Sequence, residues 1–85
     1  MTPSQAKALK VGDLLIYRSG NTGDGCETLE IVIEEWQGSD DDGEVTVQTI
    51  AIIKQKQRYL KWANRYIGEK GFVQWNNFEN FEKVK

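Results

Sequence analysis

The chain has 85 residues, of which 39% are hydrophobic and 28% are charged, with a formal net charge of −2. This length predicts a single domain over residues 1–85 whose core is too small for a deep substrate cavity, and the composition excludes general disorder. No apolar run approaches the ~20 residues of a membrane span. The single cysteine and the absence of an apolar signal core predict a cytoplasmic protein.

Catalytic signatures are missing from the sequence. There is no histidine, the commonest general base and metal ligand. The one cysteine, Cys26, is followed by Glu27, and such acidic surroundings disfavour a thiolate. Three consecutive carboxylates at residues 40–42 point in divergent directions, which suits a solvated turn better than a calcium loop. We therefore predict that the chain is not an enzyme and uses neither a metal nor another cofactor.

The N-terminal segment predicts a short helix. Residues 2–5 (Thr-Pro-Ser-Gln) place a capping threonine, a proline at the first helical position and a glutamine that completes a capping box. The helix extends at most over residues 3–10, and Ala6 and Leu9, three residues apart, would face the core. The apolar residues that follow, 13–18, predict the first strand.

A hairpin with an acidic turn is predicted next. Residues 28–37 alternate, which predicts a half-buried strand with an acidic outer side. One of its faces holds Leu29, Ile31 and Ile33, and the other holds Glu30, Val32, Glu34 and Trp36. Residues 38–43 form a polar turn, and residues 44–53 have strong β-composition. The shared face of this third strand holds Val45, Val47, Thr49 and Ala51.

In the C-terminal third, the spacing of the apolar residues changes from that of a strand to that of a helix. Over residues 57–67, apolar side chains recur at helical spacing, and we favour a helix over the continuation of a long strand. Gly71–Trp75 predicts a short strand, and the three-residue spacing of Phe78 and Phe81 suits a 3-10 turn. Residues 82–84 would form a last short strand.

Residues 11–13 (Val-Gly-Asp), followed by Leu-Leu-Ile-Tyr, resemble the opening strand of small SH3-like barrels. The strand at 71–75, the one-turn helix at 77–81 and the closing strand at 82–84 share this resemblance, whereas a helix within residues 54–70 would be an insertion. The resemblance implies a module that binds peptides, proteins or nucleic acid, and the small acidic chain also looks like a phage-type accessory protein. The predicted fold is thus β-rich α+β, a small antiparallel sheet or SH3-like barrel of four or five strands with one or two short helices.

Charge is segregated along the chain. Residues 11–53 carry a net charge of −9 and residues 54–71 a net charge of +5, and such fields steer charged partners. A tryptophan beside acids on an outer strand face is typical of an interface. The alternative is an ordinary solvated strand face. The predicted protein-binding residues are Glu30, Glu34, Trp36, Asp40, Asp41 and Asp42.

The basic segment suggests a different ligand. Basic side chains bind phosphates and aromatic ones stack on bases, so single-stranded nucleic acid is the alternative partner. Two other interpretations remain: an amphipathic helix whose aromatics belong to the core, and a basic helix that lies against the acidic sheet of its own domain. The candidate nucleic-acid-binding residues are Lys54, Lys56, Arg58, Lys61, Trp62 and Arg65.

These observations together predict binding without chemistry. Our first hypothesis is an intracellular protein-interaction module that presents its acidic hairpin to a protein with a basic surface. In one version the partner is itself a nucleic-acid-binding protein, and the chain is an inhibitor or adaptor that competes with the nucleic acid. The second hypothesis is a single-stranded nucleic-acid-binding module that uses residues 54–66, and neither hypothesis involves a membrane.

Overall fold

The computed structural model of the chain describes residues 1–18, 26–54 and 66–84. Within these ranges it shows one short helix, five strands and a 3-10 turn, which confirms the predicted β-rich α+β class. The elements are α1 (Pro3–Lys7), β1 (Leu14–Arg18), β2 (Glu27–Gly38), β3 (Gly43–Lys54), β4 (Lys70–Val73), the 3-10 turn (Phe78–Asn80) and β5 (Phe81–Lys83). None of the described helices is long and apolar enough to cross a membrane.

The five strands form one antiparallel sheet in the order β4-β3-β2-β1-β5. The predicted hairpin is confirmed, because β2 and β3 pair from Gly38 and Gly43 down to Glu27 and Lys54. The barrel alternative was wrong. In the described ranges no ladder joins the outermost strands β4 and β5, so the sheet stays open.

Helix α1 has the predicted capping box: the Gln5 N–H donates to Thr2 Oγ1 at 3.2 Å, and the Thr2 N–H donates to Gln5 Oε1 at 2.8 Å. The helix ends at Lys7, earlier than residue 10, because the chain tightens there into i→i−3 hydrogen bonds. As predicted, Ala6 and Leu9 are buried in the core.

The core lies on one face of the sheet, beneath α1. Its buried residues are Ala6, Leu9, Leu15, Val32, Val45, Val47, Val73 and Phe81. Each fully buried aliphatic side chain of this kind stabilises the fold by about 1.5–3 kcal/mol. The ring of Tyr17 lies 4.9 Å from that of Phe81 and closes the core at the β1–β5 pair.

A β-bulge in the hairpin decides which side chains face the core. Val32 pairs with Val47, but Glu34 pairs with Thr46, so β2 advances two residues while β3 advances one. Side chains alternate with a strict period of two, so this extra residue reverses the faces of everything beyond it. Val32 therefore faces the core, and Glu34 faces outward.

Further register shifts rearrange the predicted faces. From Glu34 to Gln37, β2 again advances one residue more than β3, which turns Trp36 to the core side. On β3 the extra residue is Ile50, so Ala51 leaves the face of Thr49 and pairs with Leu29.

The predicted orientation of residues 28–37 was wrong. Thr28, Glu30 and Val32 are buried, whereas the side chains expected inside are only half-buried on the opposite face. Those side chains are Leu29, Ile31 and Ile33. Of the predicted helix at 57–67, only Tyr66 and Ile67 are described, and both are exposed and outside regular secondary structure. The rest of that prediction lies outside the described residues.

Candidate protein-interaction groove

Glu30 is part of the interior. Its side chain is 0% exposed, as are those of Thr28 and Thr49 beside it. The Thr28 hydroxyl donates to Glu30 Oε2 at 2.7 Å, and Thr49 Oγ1 lies 3.0 and 2.7 Å from the two carboxyl oxygens. The prediction that Glu30 lies on an outer acidic surface was therefore wrong, because Glu30 pairs with the buried core residue Leu15 on one side and with buried Thr49 on the other. Its hydrogen bonds satisfy a buried polar group, which would otherwise be costly.

Trp36 is also tied into the fold. It stacks on Phe78 with ring centroids 6.3 Å apart, and its indole N–H donates to the Ser39 carbonyl at 3.2 Å. Lys7 covers the ring, with Nζ 5.6 Å from its centroid. Gly43 lies so close that an added Cβ would clash with the indole. A half-buried ring with these neighbours holds the hairpin to α1 and leaves little of itself to anchor a partner.

The opposite side of the hairpin forms an open groove of about 660 Å³, which we call the acidic groove. It lies on the outer face of β2, β3 and β4. Its lining residues are Glu34, Gln37, Gly38, Asp42, Glu44, Thr46, Phe72 and Gln74.

The sheet register places these residues in rows across three strands. Glu34 pairs with Thr46, and Thr46 pairs with Phe72 on its other side. The Thr46 hydroxyl and Glu34 Oε2 are 3.5 Å apart. Gln37 pairs with Glu44 in the next row. Neighbouring strands lie about 4.8 Å apart, so the row from the Glu34 carboxylate to the exposed Phe72 ring spans roughly 10 Å.

Among the residues that the structure describes, three carboxylates and no base line the acidic groove. In the described part of the chain, the ion pairs use other acids: Lys7–Asp40 (3.4 Å), Lys10–Glu35 (3.8 Å), Arg18–Glu27 (3.7 Å), Arg18–Glu82 (2.7 Å) and Lys83–Asp13 (3.6 Å). Glu34, Asp42 and Glu44 have no such partner among the described residues. Their negative field is therefore directed at solvent, where it attracts cations.

The remaining predicted acids, Asp40, Asp41 and Asp42, lie in the turn that closes the hairpin and do not all face the same way. Asp40 pairs with Lys7 and thereby faces α1. Asp41 and Asp42 are exposed, and the Asp42 N–H donates to Ser39 Oγ at 3.1 Å, which orders the turn. Of the six predicted protein-binding residues, the structure thus brings Glu34 and Asp42 together in the acidic groove, with Asp41 exposed in the same turn.

Sequence reasoning overlooked Glu44 and Phe72. Phe72 is 45% exposed, whereas its neighbours Gly71 and Val73 are buried. This period-two pattern in the strand predicted at 71–75 was the available signal, because it places Phe72 and Gln74 on the face opposite the core. Trp75, just after β4, is 70% exposed and is a further surface aromatic.

Two acids outside the groove are stabilised in their charged form. The Lys10 backbone N–H donates to Asp13 Oδ2 at 2.9 Å and, together with the Lys83 ammonium, lowers the pKa of Asp13. The hydrogen bond from Arg18 lowers the pKa of Glu82. The Asp13–Lys83 contact joins the start of β1 to β5, and the Arg18–Glu82 contact joins the far end of β1 to β5.

The basic candidates fall mostly outside the described residues. Lys54, at the end of β3, is exposed, and its register partner is Glu27. The candidates outside the described ranges are Lys56, Arg58, Lys61, Trp62 and Arg65. Among residues 1–18, 26–54 and 66–84, no group of three or more metal-ligating side chains converges.

Comparison with protein-family models, with curated proteins and with solved structures finds no match for this chain.

Proposed function

We propose that this chain is a non-enzymatic protein-interaction module that binds a basic segment of its partner in the acidic groove. The observation that carries the proposal is the set of three carboxylates, exposed Glu34 and Asp42 and half-buried Glu44, that lie beside the exposed ring of Phe72. Carboxylates attract lysine and arginine, and an aromatic face adds a cation–π contribution of about 0.5–1 kcal/mol at an exposed site.

The proposal extends to the setting of this interaction. Cys26, the single cysteine, is 3% exposed, which fits a reducing compartment, and we place the module in the cytoplasm. A basic partner surface is typical of proteins that bind nucleic acid, so an inhibitor or adaptor acting on such a protein is the role that we favour.

The test uses a fluorescein-labelled peptide of about eight residues that alternates arginine and threonine, measured by anisotropy. We expect binding that weakens as salt rises from about 50 to 300 mM, because the groove charges are solvent-exposed and screened. A matched peptide with glutamate in place of arginine should not bind.

Variants locate the site. We expect Glu34→Gln with Glu44→Gln to weaken binding at least about fivefold, chiefly through slower association. Glu79→Gln, which removes an exposed carboxylate outside the groove, is the matched control and should leave the affinity unchanged. Equal affinity of the double variant and the unaltered protein would contradict the proposal.

The alternative, single-stranded nucleic acid, stays a prediction based on residues 54–66. A labelled single-stranded oligonucleotide in the same assay decides between the two. Binding of the oligonucleotide in preference to the arginine peptide would favour the alternative, because the carboxylates of the acidic groove repel phosphate.

A further inference from the structure

Strand β4 forms one outer edge of the sheet. It pairs with β3 through the register from Val45–Val73 to Gln48–Lys70, and within the described residues no strand lies on its other side. Alternate residues of a strand direct their backbone groups to opposite neighbours. An edge strand therefore leaves a row of N–H and C=O groups available to a further strand.

Two of these outward groups are occupied by one side chain. The Asn77 Nδ2 group donates to the Phe72 carbonyl at 2.7 Å, and the Gln74 N–H donates to Asn77 Oδ1 at 2.8 Å. Phe72 lies in β4 and Gln74 directly follows its end, and this two-residue spacing directs their backbone groups to the same side of an extended chain. The Asn77 amide thus supplies the donor and the acceptor that a neighbouring strand would supply.

The same two residues line the acidic groove with their side chains. A strand added beside β4 would continue the outer face of the sheet, with its alternate side chains next to Phe72 and Gln74. Two strand spacings, roughly 10 Å, separate that position from Glu44 on β3. An arginine or lysine side chain can lie across the Phe72 ring and meet the glutamate within this span. The hydrogen-bonding edge and the acidic groove therefore form one continuous surface.

We propose that an extended, basic segment of a partner protein adds to the sheet as a strand at the outer edge of β4. The segment replaces the Asn77 amide on Phe72 and Gln74 and lays alternate basic side chains over the acidic groove. This mode rests on the proposed function and specifies how the partner binds: main-chain hydrogen bonds give affinity, and side-chain alternation gives selectivity. Lys70, exposed on the same strand, disfavours a basic residue opposite its own position.

The decisive experiment uses the unaltered protein and two N-methylated forms of the arginine–threonine peptide. One form carries N-methyl groups at every arginine and the other at every threonine, and the side chains and charge are the same in both. Only alternate N–H groups of an added strand point toward β4. We therefore expect one form to bind at least about tenfold more weakly than the parent peptide and the other to bind like it.

The sensitive form also reports the strand direction. In an antiparallel arrangement the residue opposite Phe72 shares its face and exchanges hydrogen bonds with it, so methylation at arginine would be the damaging change. In a parallel arrangement the residue opposite Val73 donates to the Phe72 carbonyl, so methylation at threonine would be damaging. Equal binding of the two forms would overturn strand addition.

Asn77 provides an independent measurement. Asn77→Ala leaves the Phe72 carbonyl and the Gln74 N–H open, so we expect the parent peptide to bind about three- to tenfold tighter. Asn76→Ala, at the exposed neighbouring position, is the matched control, and the thermal melting of both variants verifies that they fold. An affinity that is the same for both variants would contradict displacement of Asn77.

The two proposals fail in different ways. If both methylated peptides bind equally but Glu34→Gln with Glu44→Gln weakens them, the acidic groove binds the peptide and strand addition is wrong. If Glu34→Gln with Glu44→Gln leaves the peptide affinity unchanged while one methylated peptide no longer binds, the edge of β4 binds a strand and the charge-based function is wrong.

Discussion

Glu30 and Glu34 are the same residue type, four positions apart on one strand, and the fold treats them in opposite ways. Glu30 is fully buried and hydrogen-bonded by two threonine hydroxyls. Glu34 is exposed in a groove where no described base neutralises it. A single bulge between Val32 and Glu34 separates these environments. One inserted residue on β2 therefore separates an interior polar cluster from an exterior acidic surface.

The largest effect should come from removing the buried glutamate. We expect Glu30→Ala to lower the free energy of unfolding by about 2–5 kcal/mol, because it leaves a cavity and deprives Thr28 and Thr49 of their acceptor. Urea denaturation measures the change. Glu34→Ala is the matched control, with an expected change within about 0.5 kcal/mol. Equal destabilisation by the two variants would remove the contrast between the two faces.

A second change tests the core side at the tip of the hairpin. In Gly43→Ala the new methyl group meets the Trp36 indole, which is held by Phe78 and by its bond to Ser39. We expect a loss of about 1–3 kcal/mol, the usual cost of overpacking. Asp42→Ala, at the adjacent exposed position, should change the melting temperature little. If Gly43→Ala has the same melting temperature as the unaltered chain, the Trp36 ring is free to move away from the added methyl group.

Acid should lower the stability of the contacts between β1 and β5 that Asp13 and Glu82 make. Their folded-state pKa values are lowered from ordinary values of 3.8 and 4.5 by their hydrogen-bonded partners. The unfolded chain therefore takes up these protons first as pH falls, so the stabilisation is full above the ordinary values and is lost as pH drops through the lowered ones. We expect the Asp13→Asn and Glu82→Gln double variant to lose less stability than the unaltered chain between about pH 7 and pH 3. An identical pH profile for both proteins would count against these contacts.

The smallest stability effect is expected on the outer face. Glu34→Gln with Glu44→Gln should change the free energy of unfolding by no more than about 0.5 kcal/mol, since both carboxylates are surface groups without ion pairs among the described residues. Urea denaturation at low salt is the measurement. A loss well above 1 kcal/mol would show that these acids support the fold, and the peptide-binding loss of this variant would then need another explanation.

Local sequence signals determined the elements of this protein. The capping box at Thr2 and Gln5, the strands around the acidic turn and the 3-10 turn at Phe78 all depend on neighbouring residues, so the sequence predicted them correctly. The negative charge of residues 11–53 was equally visible. The segment from 55 to 65 lies outside the described residues, and its predicted helix stays a prediction.

Only the tertiary structure decided which side of each strand is inside. Alternation identifies two faces of β2 but does not say which one is buried, and apolar Ile31 beside acidic Glu30 suggested the wrong answer. Cross-strand pairing with β3 placed Glu30 beside Thr49 and, after the bulge, Glu34 beside Thr46. The acidic groove likewise joins Glu34 to Phe72, residues far apart in sequence that meet only because β3 lies between their strands. Register and bulges result from long-range pairing, which a pattern read along the chain does not contain.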